Sequence, residues 1–552
     1  MTTRHLSIAS ALSVALSTAT ASVVGPSPGT IVDGAQPASV MEVHSAGIGH
    51  VNLVPYFSVR SGFDTYLNLV NTDTRNGKAV KVRFRSAVNG EDVGNFTVLL
   101  GPGDAWAAAL TRDAATGYAR VVHNDKSCTL PANVAVTLGP TYVIGSAGQT
   151  VDVTRTQEGS VEIITMADIP PTDASGQSAA LYGAIKVTGS APGPACTESV
   201  LQPLAVDSSS YADARSKGLA VPTTGLMTEW TLINVPRAVS YTGRATALEA
   251  RVSAGGLPGY GNVVLFPQTS TTVTDPVRTV AYTINPNIRR PPPIAASGYV
   301  ENQLPDLSTP YLSAGLTALA AGVAPRLQAF AVNKALSTAS VGGQFVTEPS
   351  VLAKTDWVIT LPTRYLQVGY LPPGLSSLGV PLVSNLTLDD NGVSTGAGVT
   401  NSFSEANVKF DFVVDPVCVK AIDPYTPGTP TTQPQSETTF RTREGVAVAL
   451  QQEATASGTL RPFELCGHSV VLRFAKPGDD AAVGALGDVR NRRQMISSAT
   501  AGWGRIQIPG VSGNGLPIIG FVASELFNSA VSPGIAGIFG VTLPLSTTRP
   551  IP

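Results

Sequence analysis

Four cysteines have the clearest chemistry in this sequence: Cys128, Cys196, Cys418 and Cys466. The N-terminus resembles a secretory leader, and an even cysteine count in an exported protein predicts disulfides. Three pairings are possible. The simplest is Cys128–Cys196 with Cys418–Cys466, because each bridge then stays within one half of the chain. Free buried thiols and a metal site are the alternatives, but there is no CxxC motif, and His468 beside Cys466 is an isolated match.

Other residues that could support binding or catalysis form no complete site. Asp389, Asp390 and Asn391 offer the oxygen ligands that calcium prefers, but they lack the spaced ligands and closing Glu of a full loop, so a turn is the competing interpretation. Ser394 stands in a G-x-S-x-G sequence without the strand–serine–helix context of a nucleophile elbow. Glu162 and Asp411, candidates for a glycosidase pair, are better explained as polar positions of alternating strands. No catalytic residue and no cofactor is predicted, with calcium as the open possibility.

One basic cluster stands out in a chain with few charges. It could contact an anionic envelope polysaccharide; alternatively it is a solvated face balanced by nearby acidic residues. The cluster consists of Arg75, Lys78, Lys81, Arg83 and Arg85.

These basic residues lie in the stretch with the strongest fold signal, residues 51–85. Thr65–Asn71 and Ala79–Arg85 are rich in strand-forming residues, and Asn76-Gly77 between them is typical of a tight turn. The pattern predicts an antiparallel hairpin. In its second strand, apolar residues alternate with the basic ones, which predicts one dry face and one wet face.

Composition favours a β protein and argues against some partners. Only 13% of the 552 residues are charged, and Gly (54) and Pro (42) are frequent, which is typical of short strands joined by turns. Nucleic acid binding needs concentrated Lys and Arg, so the low charge argues against it. Low charge density also permits dense assembly, because self-repulsion is weak.

Residues 1–21 have the features of a signal peptide: a short positive region, an apolar stretch and the small-residue sequence Ala19-Thr20-Ala21. No later segment has 18 uninterrupted apolar residues, so no transmembrane segment is predicted. We therefore expect an exported protein, extracellular or at the outer cell surface.

The strand pattern predicts a mainly β fold with two antiparallel β-sandwich regions of the Ig-like or jelly-roll type. Leu181–Val187 is expected to continue the first sandwich. Between the sandwiches we expect a mixed segment with a short helical pair at 310–336, divided by Pro325. Tryptophans 106, 230, 357 and 503 are expected in the core rather than on a sugar-stacking surface. The expected organisation is signal peptide 1–21, flexible lead-in 22–50, N-terminal β-sandwich 51–204, middle β/loop region 205–345 and C-terminal β-sandwich 346–552.

Six segments carry a resemblance to known proteins: NLVPYFSVRSGFDTYLNLVNTD, NGKAVKVRFRSAVNGEDVGNFTVLLGPGDAW, EGSVEIITMADIP, TDWVITLPTR, GWGRIQIP and VSPGIAGIFG. They resemble a family of secreted proteobacterial proteins that usually carry only a "cell surface protein" or hypothetical label. The resemblance spans roughly 50–545 and is weakest between about 205 and 345. It implies export from a Gram-negative cell and a surface or extracellular home, and it implies no reaction.

Taken together, the sequence favours a non-enzymatic structural protein of the cell surface, such as a surface-layer, fibre or matrix subunit. Self-association or an envelope polysaccharide is the expected partner. A carbohydrate-binding adhesin is the first alternative and predicts an aromatic strip or a calcium site on an exposed sheet face. A secreted polysaccharide-degrading enzyme is the second and predicts a cleft with two carboxylates.

Overall fold

The computed structural model describes most of residues 23–264 and the ranges 331–363, 439–448, 464–508 and 515–548, together with short strands elsewhere. The gaps inside these ranges are residues 28, 89, 91, 133–135, 140–152, 174, 190–192, 206–207, 209, 480–483 and 533–534.

The described strands of the first half of the chain are β1 (Val23–Val24), β2 (Val40–Val43), β3 (Ile48–Gly49), β4 (Val51–Ser58), β5 (Phe63–Asn71), β6 (Gly77–Ser86), β7 (Asp92–Leu100), β8 (Ala105–Arg112), β9 (Ala119–Val122), β10 (Cys128–Leu130), β11 (Glu158–Ile169), β12 (Leu226–Asn234), β13 (Val239–Arg244), β14 (Thr246–Arg251), β15 (Val263–Val264), β16 (Thr271–Thr274) and β17 (Ala281–Ile284).

Those of the second half are β18 (Ser337–Thr338), β19 (Ser340–Val346), β20 (Lys354–Thr360), β21 (Val408–Lys409), β22 (Cys418–Lys420), β23 (Thr439–Thr442), β24 (Gln451–Gln452), β25 (Glu464–Cys466), β26 (Ser469–Ala475), β27 (Arg492–Ile496), β28 (Ala501–Gln507), β29 (Leu516–Pro517), β30 (Ile519–Ser532), β31 (Ile535–Pro544) and β32 (Ser546–Thr548).

In the first sandwich, a seven-stranded sheet packs against a six-stranded sheet. The strand order of the seven-stranded sheet is β10-β7-β6-β11-β4-β14-β2. That of the six-stranded sheet is β13-β12-β5-β8-β9, with β3 also paired to β12. Alternate residues of both sheets point into one core, as the period of two in a strand requires. Val82 and Phe84 of the first sheet and Trp106 and Trp230 of the second are among its buried members.

The second sandwich packs the six-stranded sheet β24-β27-β26-β20-β30-β31 on the four-stranded sheet β23-β28-β19-β32. Its core holds a cluster of aromatic rings around Trp357, Phe345 and Phe440. The described pairings in both sandwiches are antiparallel except for β26 with β27.

The first core extends into the second sandwich. Along β20, Trp357 and Ile359 point into the second core, whereas Val358 between them belongs to the first. Phe521 of β30 joins the first core as well, and its ring centroid lies 4.6 Å from that of Trp230. Around β20, the six-stranded sheet of the second sandwich is therefore covered on both faces.

Short helices cover part of the outer face of the seven-stranded sheet: α1 (Ala180–Ile185), α2 (Glu198–Leu201) and α3 (Tyr211–Ser216), with the 3-10 turn Gln202–Ala205. Further 3-10 turns lie elsewhere, at Val153–Thr156 and Pro349–Val351. Leu181 and Ile185 of α1 pack on this sheet. Residues 331–336 are also helical, as predicted for the end of the 310–336 patch, and the rest of that patch lies outside the described residues.

The structure confirms the mainly β class and corrects the organisation. Strands β12 and β14 complete the first sandwich, so residues 226–251 do not belong to a separate middle region. The expected flexible lead-in contributes β2 to the seven-stranded sheet and buries Ala38 and Met41. The segment 181–187 is mainly helix rather than strand. Residues 1–22, which include the predicted signal peptide, lie outside the described residues.

The predicted hairpin is wrong. β5 pairs with β8 and β12 in one sheet, whereas β6 pairs with β7 and β11 in the other. The link between them crosses from sheet to sheet, and Asp73 orders it by accepting backbone N–H bonds from Arg75 and Asn76 at 2.8 and 3.0 Å. Gly77 serves another purpose: a Cβ there would lie only 2.7 Å from the backbone carbonyl oxygen of Leu100.

Candidate functional site

The basic cluster that the sequence singles out is not a surface. Arg75 is exposed, but Lys78, Lys81, Arg83 and Arg85 are each 0% exposed. We call these four the buried charge row. Every residue of β6 is buried because both faces of its sheet are covered. The prediction of a wet face that contacts an anionic envelope is therefore wrong for these four residues.

The neighbouring strand β11 supplies the counter-charge for the two arginines. Glu162 is the direct cross-strand partner of Arg83. Its Oε2 accepts from Arg83 Nη1 at 3.3 Å and from Arg85 Nη2 at 3.0 Å. The carboxylate proposed as one of a glycosidase pair thus serves a buried ion pair, and Asp411, its suggested partner, lies outside the described residues.

Lys78 is neutralised at the other end of the same strand. Its Nζ donates to Asp168 Oδ1 at 2.7 Å and to the carbonyl of Thr223 at 3.1 Å. Burial raises the pKa of Asp168, while the charge of Lys78 and bonds from Lys78 and Thr223 oppose that shift. Glu162 and Asp168 of β11 are the direct cross-strand partners of Arg83 and Lys78, a pairing that the structure shows and local sequence patterns do not.

A second polar group joins the two sandwiches. Ser160 Oγ lies 2.7 Å from His468 Nε2. Two residues earlier on β11, Glu158 accepts from the hydroxyl of Tyr56 at 2.8 Å and from the backbone N–H of Arg490 at 2.9 Å. Burial raises the pKa of the Glu158 carboxyl, and the charge of Arg60 and these hydrogen bonds oppose the rise.

A hydrogen-bonded serine and histidine could act as nucleophile and base if a substrate reached them. Ser160, however, is only 3% exposed and lies on an interior strand between β4 and β6. The backbone N–H of His468 bonds to the carbonyl of Ala87 at 2.8 Å, which fixes the second sandwich to the end of β6. The Ser160–His468 contact and the His468–Ala87 hydrogen bond hold the two sandwiches together.

The loop 484–491 strengthens this junction. Asp356 accepts hydrogen bonds from Arg473 Nε at 3.1 Å and from the backbone N–H of Leu486 at 2.9 Å. The side chains of Asp356 and Arg473 are both buried. The loop held in this way places the carbonyl of Ala485 3.2 Å from the hydroxyl of Tyr241 in the first sandwich. Sequence reasoning gave no indication of this ion pair.

The predicted disulfide Cys128–Cys196 is present, with a sequence separation of 68 residues. Cys418 and Cys466 are directly opposite each other in the β22–β25 ladder, and their bridge stays a prediction. The possible calcium residues Asp389, Asp390 and Asn391, and also Ser394, lie outside the described residues. Within the described part of the chain, no group of three or more His, Cys, Asp or Glu side chains could hold a metal ion.

Three of the four tryptophans are buried as predicted, at positions 106, 230 and 357, but Trp503 is 43% exposed. The exposed aromatic residues among those described are Tyr66 on β5, Trp503 on β28 and Phe539 on β31. They belong to three different sheets, so the described residues do not bring them into the aromatic strip that an adhesin predicts.

The most distinctive exposed feature is the hairpin β30–β31. Val531, Phe539 and Val541 are 48%, 49% and 38% exposed, and we call them the apolar stripe. They belong to a stretch from Leu526 to Thr548 that contains no Asp, Glu, Lys or Arg. Large exposed apolar groups on a strand are typical of contact sites.

Comparison of the chain with family models, curated proteins and solved structures gives no match. None of the helices in the described ranges has the length and hydropathy needed to span a bilayer.

Proposed function

We propose that this protein is a non-enzymatic structural component of the cell surface, a subunit that is exported and associates with its own copies. The hairpin β30–β31 carries this proposal. It exposes apolar side chains in a 23-residue stretch without a charged residue, and monomeric proteins commonly place charged side chains on such edge strands.

The body that carries the hairpin supports a structural role. The first core extends into the second sandwich, and the Arg237–Glu525 ion pair and the Ser160–His468 contact also join the two. This apolar junction favours transmission of load over relative movement of the two halves, since a large apolar junction holds domains together. The disulfide Cys128–Cys196 fits an oxidising compartment outside the cytoplasm.

Electron microscopy of the purified full chain and of the surface of the source cells tests this function. We expect ordered arrays, fibres or sheets on both specimens, with the protein identified on cells by a specific antibody. Isolated particles of monomer size under all conditions, together with antibody labelling confined to the cell interior, would contradict the proposal.

A further inference from the structure

A lysine and an aspartate lie in contact on two neighbouring strands of the seven-stranded sheet, shielded from water. Lys78 of β6 and Asp168 of β11 are direct cross-strand partners. Their side chains are 0% and 4% exposed, and Lys78 Nζ lies 2.7 Å from Asp168 Oδ1. A carboxyl carbon–oxygen bond is about 1.2 Å long, so Nζ lies within about 4 Å of the carboxyl carbon. That is close to the roughly 3–3.5 Å from which aligned groups react.

Thr223 holds both partners in place. Its carbonyl oxygen accepts a hydrogen bond from Lys78 Nζ at 3.1 Å, and its hydroxyl donates to Asp168 Oδ2. Negative charge develops on a carboxyl oxygen when an amine attacks the carbon, so this hydroxyl stabilises the transition state of such an attack. Gly225 leaves room for the lysine stem, because a Cβ there would lie 2.9 Å from Lys78 Cε.

A second carboxyl group, that of Asp73, stands on the other side of the amine. Its Oδ2 lies 3.8 Å from Lys78 Nζ, and its side chain is 19% exposed. Burial favours the protonated form of Asp73, but backbone hydrogen bonds from Asn76 and Arg75 and the charge of Lys78 outweigh it and lower the pKa. Burial raises the pKa of Asp168 instead. Two carboxyl groups whose pKa values are pushed apart can divide the roles of base and acid.

We propose that Lys78 and Asp168 join in an intramolecular amide bond, with Asp73 as the group that moves the protons. Lys78 first gives one proton to Asp168, because a neutral amine and a carboxylic acid tolerate burial better than two ions. The amine lone pair then attacks Cγ of Asp168 and forms the carbon–nitrogen bond. Asp73 takes a proton from the nitrogen and returns it to the hydroxyl, which leaves as the carbon–oxygen bond breaks. An ammonium and a carboxylate thus become one amide and one water, and no further reactant is needed.

This bond goes beyond the proposed function and does not depend on it. The amide replaces two buried charges with a neutral group and links β6 to β11 across 90 residues of chain. A cross-link over a long loop stabilises a fold by restricting the unfolded chain. The first sandwich therefore resists unfolding whether or not copies of the chain associate.

Mass spectrometry of the full chain, with disulfides reduced and the protein denatured, tests the bond. We expect the wild type to be lighter by one water than the mass calculated from its sequence, counted from the N-terminus that peptide sequencing finds. A tryptic digest should contain one species in which the segment around Lys78 is joined to the segment around Asp168. Lys78→Arg keeps the positive charge and lacks the amine, so this variant should have its full calculated mass.

The same digest contains a matched control. Lys354 and Glu525 are also direct cross-strand partners, with Nζ 3.3 Å from Oε1, but this lysine is 30% exposed and water reaches it. Their two segments should appear as separate peptides. Asp73→Asn tests the proton transfer, since it keeps the size of the side chain and removes the base. It should slow bond formation by about 100-fold or more, so the freshly purified variant should be folded by circular dichroism and still have its full calculated mass.

Three results would overturn the proposal in whole or in part. A wild-type chain of full calculated mass, with Lys78 and Asp168 on separate peptides, would show that the two side chains form an ordinary buried ion pair. Loss of a water without the joined peptide would place the dehydration elsewhere and would equally exclude this bond. Complete linkage in freshly purified Asp73→Asn would refute the role of Asp73. None of these results bears on whether the chain associates with its own copies.

Discussion

Glu162 gives the sharpest test of whether the buried charge row is structural. Its single Oε2 atom accepts from two buried guanidinium groups, those of Arg83 and Arg85. Glu162→Gln keeps the shape of the side chain and removes the negative charge. Two buried cations then lose their shared counter-charge, whereas a surface row would be indifferent to the change.

The expected magnitude follows from burial. Removing one partner of a buried ion pair costs about 3–5 kcal/mol. An exposed pair contributes roughly 0–1 kcal/mol, and Glu229 with Arg244 is such a pair, with side chains 43% and 63% exposed. These residues are also direct cross-strand partners in a β-ladder, so Glu229→Gln is a matched control.

Thermal unfolding of the full chain, followed by circular dichroism, distinguishes the two variants. For a large chain each kcal/mol shifts the midpoint by roughly 2 °C. We therefore expect Glu162→Gln to unfold about 6–10 °C below the wild type and Glu229→Gln within about 2 °C of it. Equal, small shifts for both variants would refute a structural role for the buried charge row.

Two further perturbations have defined outcomes. Burial and the charge of Lys78 lower the pKa of His50 to about 3 from 6.5, and its Nδ1 accepts from the Ala250 backbone N–H at 3.1 Å. Between these pH values the unfolded chain therefore takes up a proton at His50 and the folded chain does not. The contribution of neutral His50 to the free energy of unfolding is present above pH 6.5 and is lost towards pH 3. The loss is about 1.4 kcal/mol per pH unit. His50→Asn, which keeps an acceptor and does not titrate, should remove this dependence, and parallel stability–pH curves for the two proteins would contradict it. Replacing both Cys128 and Cys196 with Ser opens a loop closed over 68 residues, which should lower the free energy of unfolding by about 4 kcal/mol in the chain-entropy model; denaturant unfolding identical to that of the oxidised wild type would show that the bridge adds nothing.

Local patterns predicted strands well because alternation and turn residues act over a few positions. The predicted strands Thr65–Asn71 and Ala79–Arg85 are contained in β5 and β6. The helix at Ala180–Ile185 was mistaken for a strand because a short apolar run fits either structure.

What local patterns cannot show is which strands meet and what lies on their faces. Asn76-Gly77 suggested a hairpin, but β5 and β6 belong to different sheets. Alternation in β6 correctly marked a polar face, and it could not show that this face is covered. The counter-charge comes from Glu162, 79 residues beyond Arg83, so the burial of the row depends on a distant pairing.

The contacts between the sandwiches were equally hidden. His468 was visible only as an isolated neighbour of Cys466, and its partner Ser160 is 308 residues away. The exposed stripe was partly visible, since the charge-free stretch from Leu526 to Thr548 can be read directly. Only the structure shows that Phe539 and Val541 are exposed, on a hairpin that extends beyond the end of the neighbouring strand β20.

The central claim, a structural subunit that associates with its own copies, is tested most directly by the molar mass of the full chain in solution. Light scattering after size separation, over a wide range of loading concentration, should show a mass that rises from the monomer towards dimers and larger species. A mass that stays at the 56.8 kDa of one chain, or slightly less if the leader is removed, at every concentration would contradict the account.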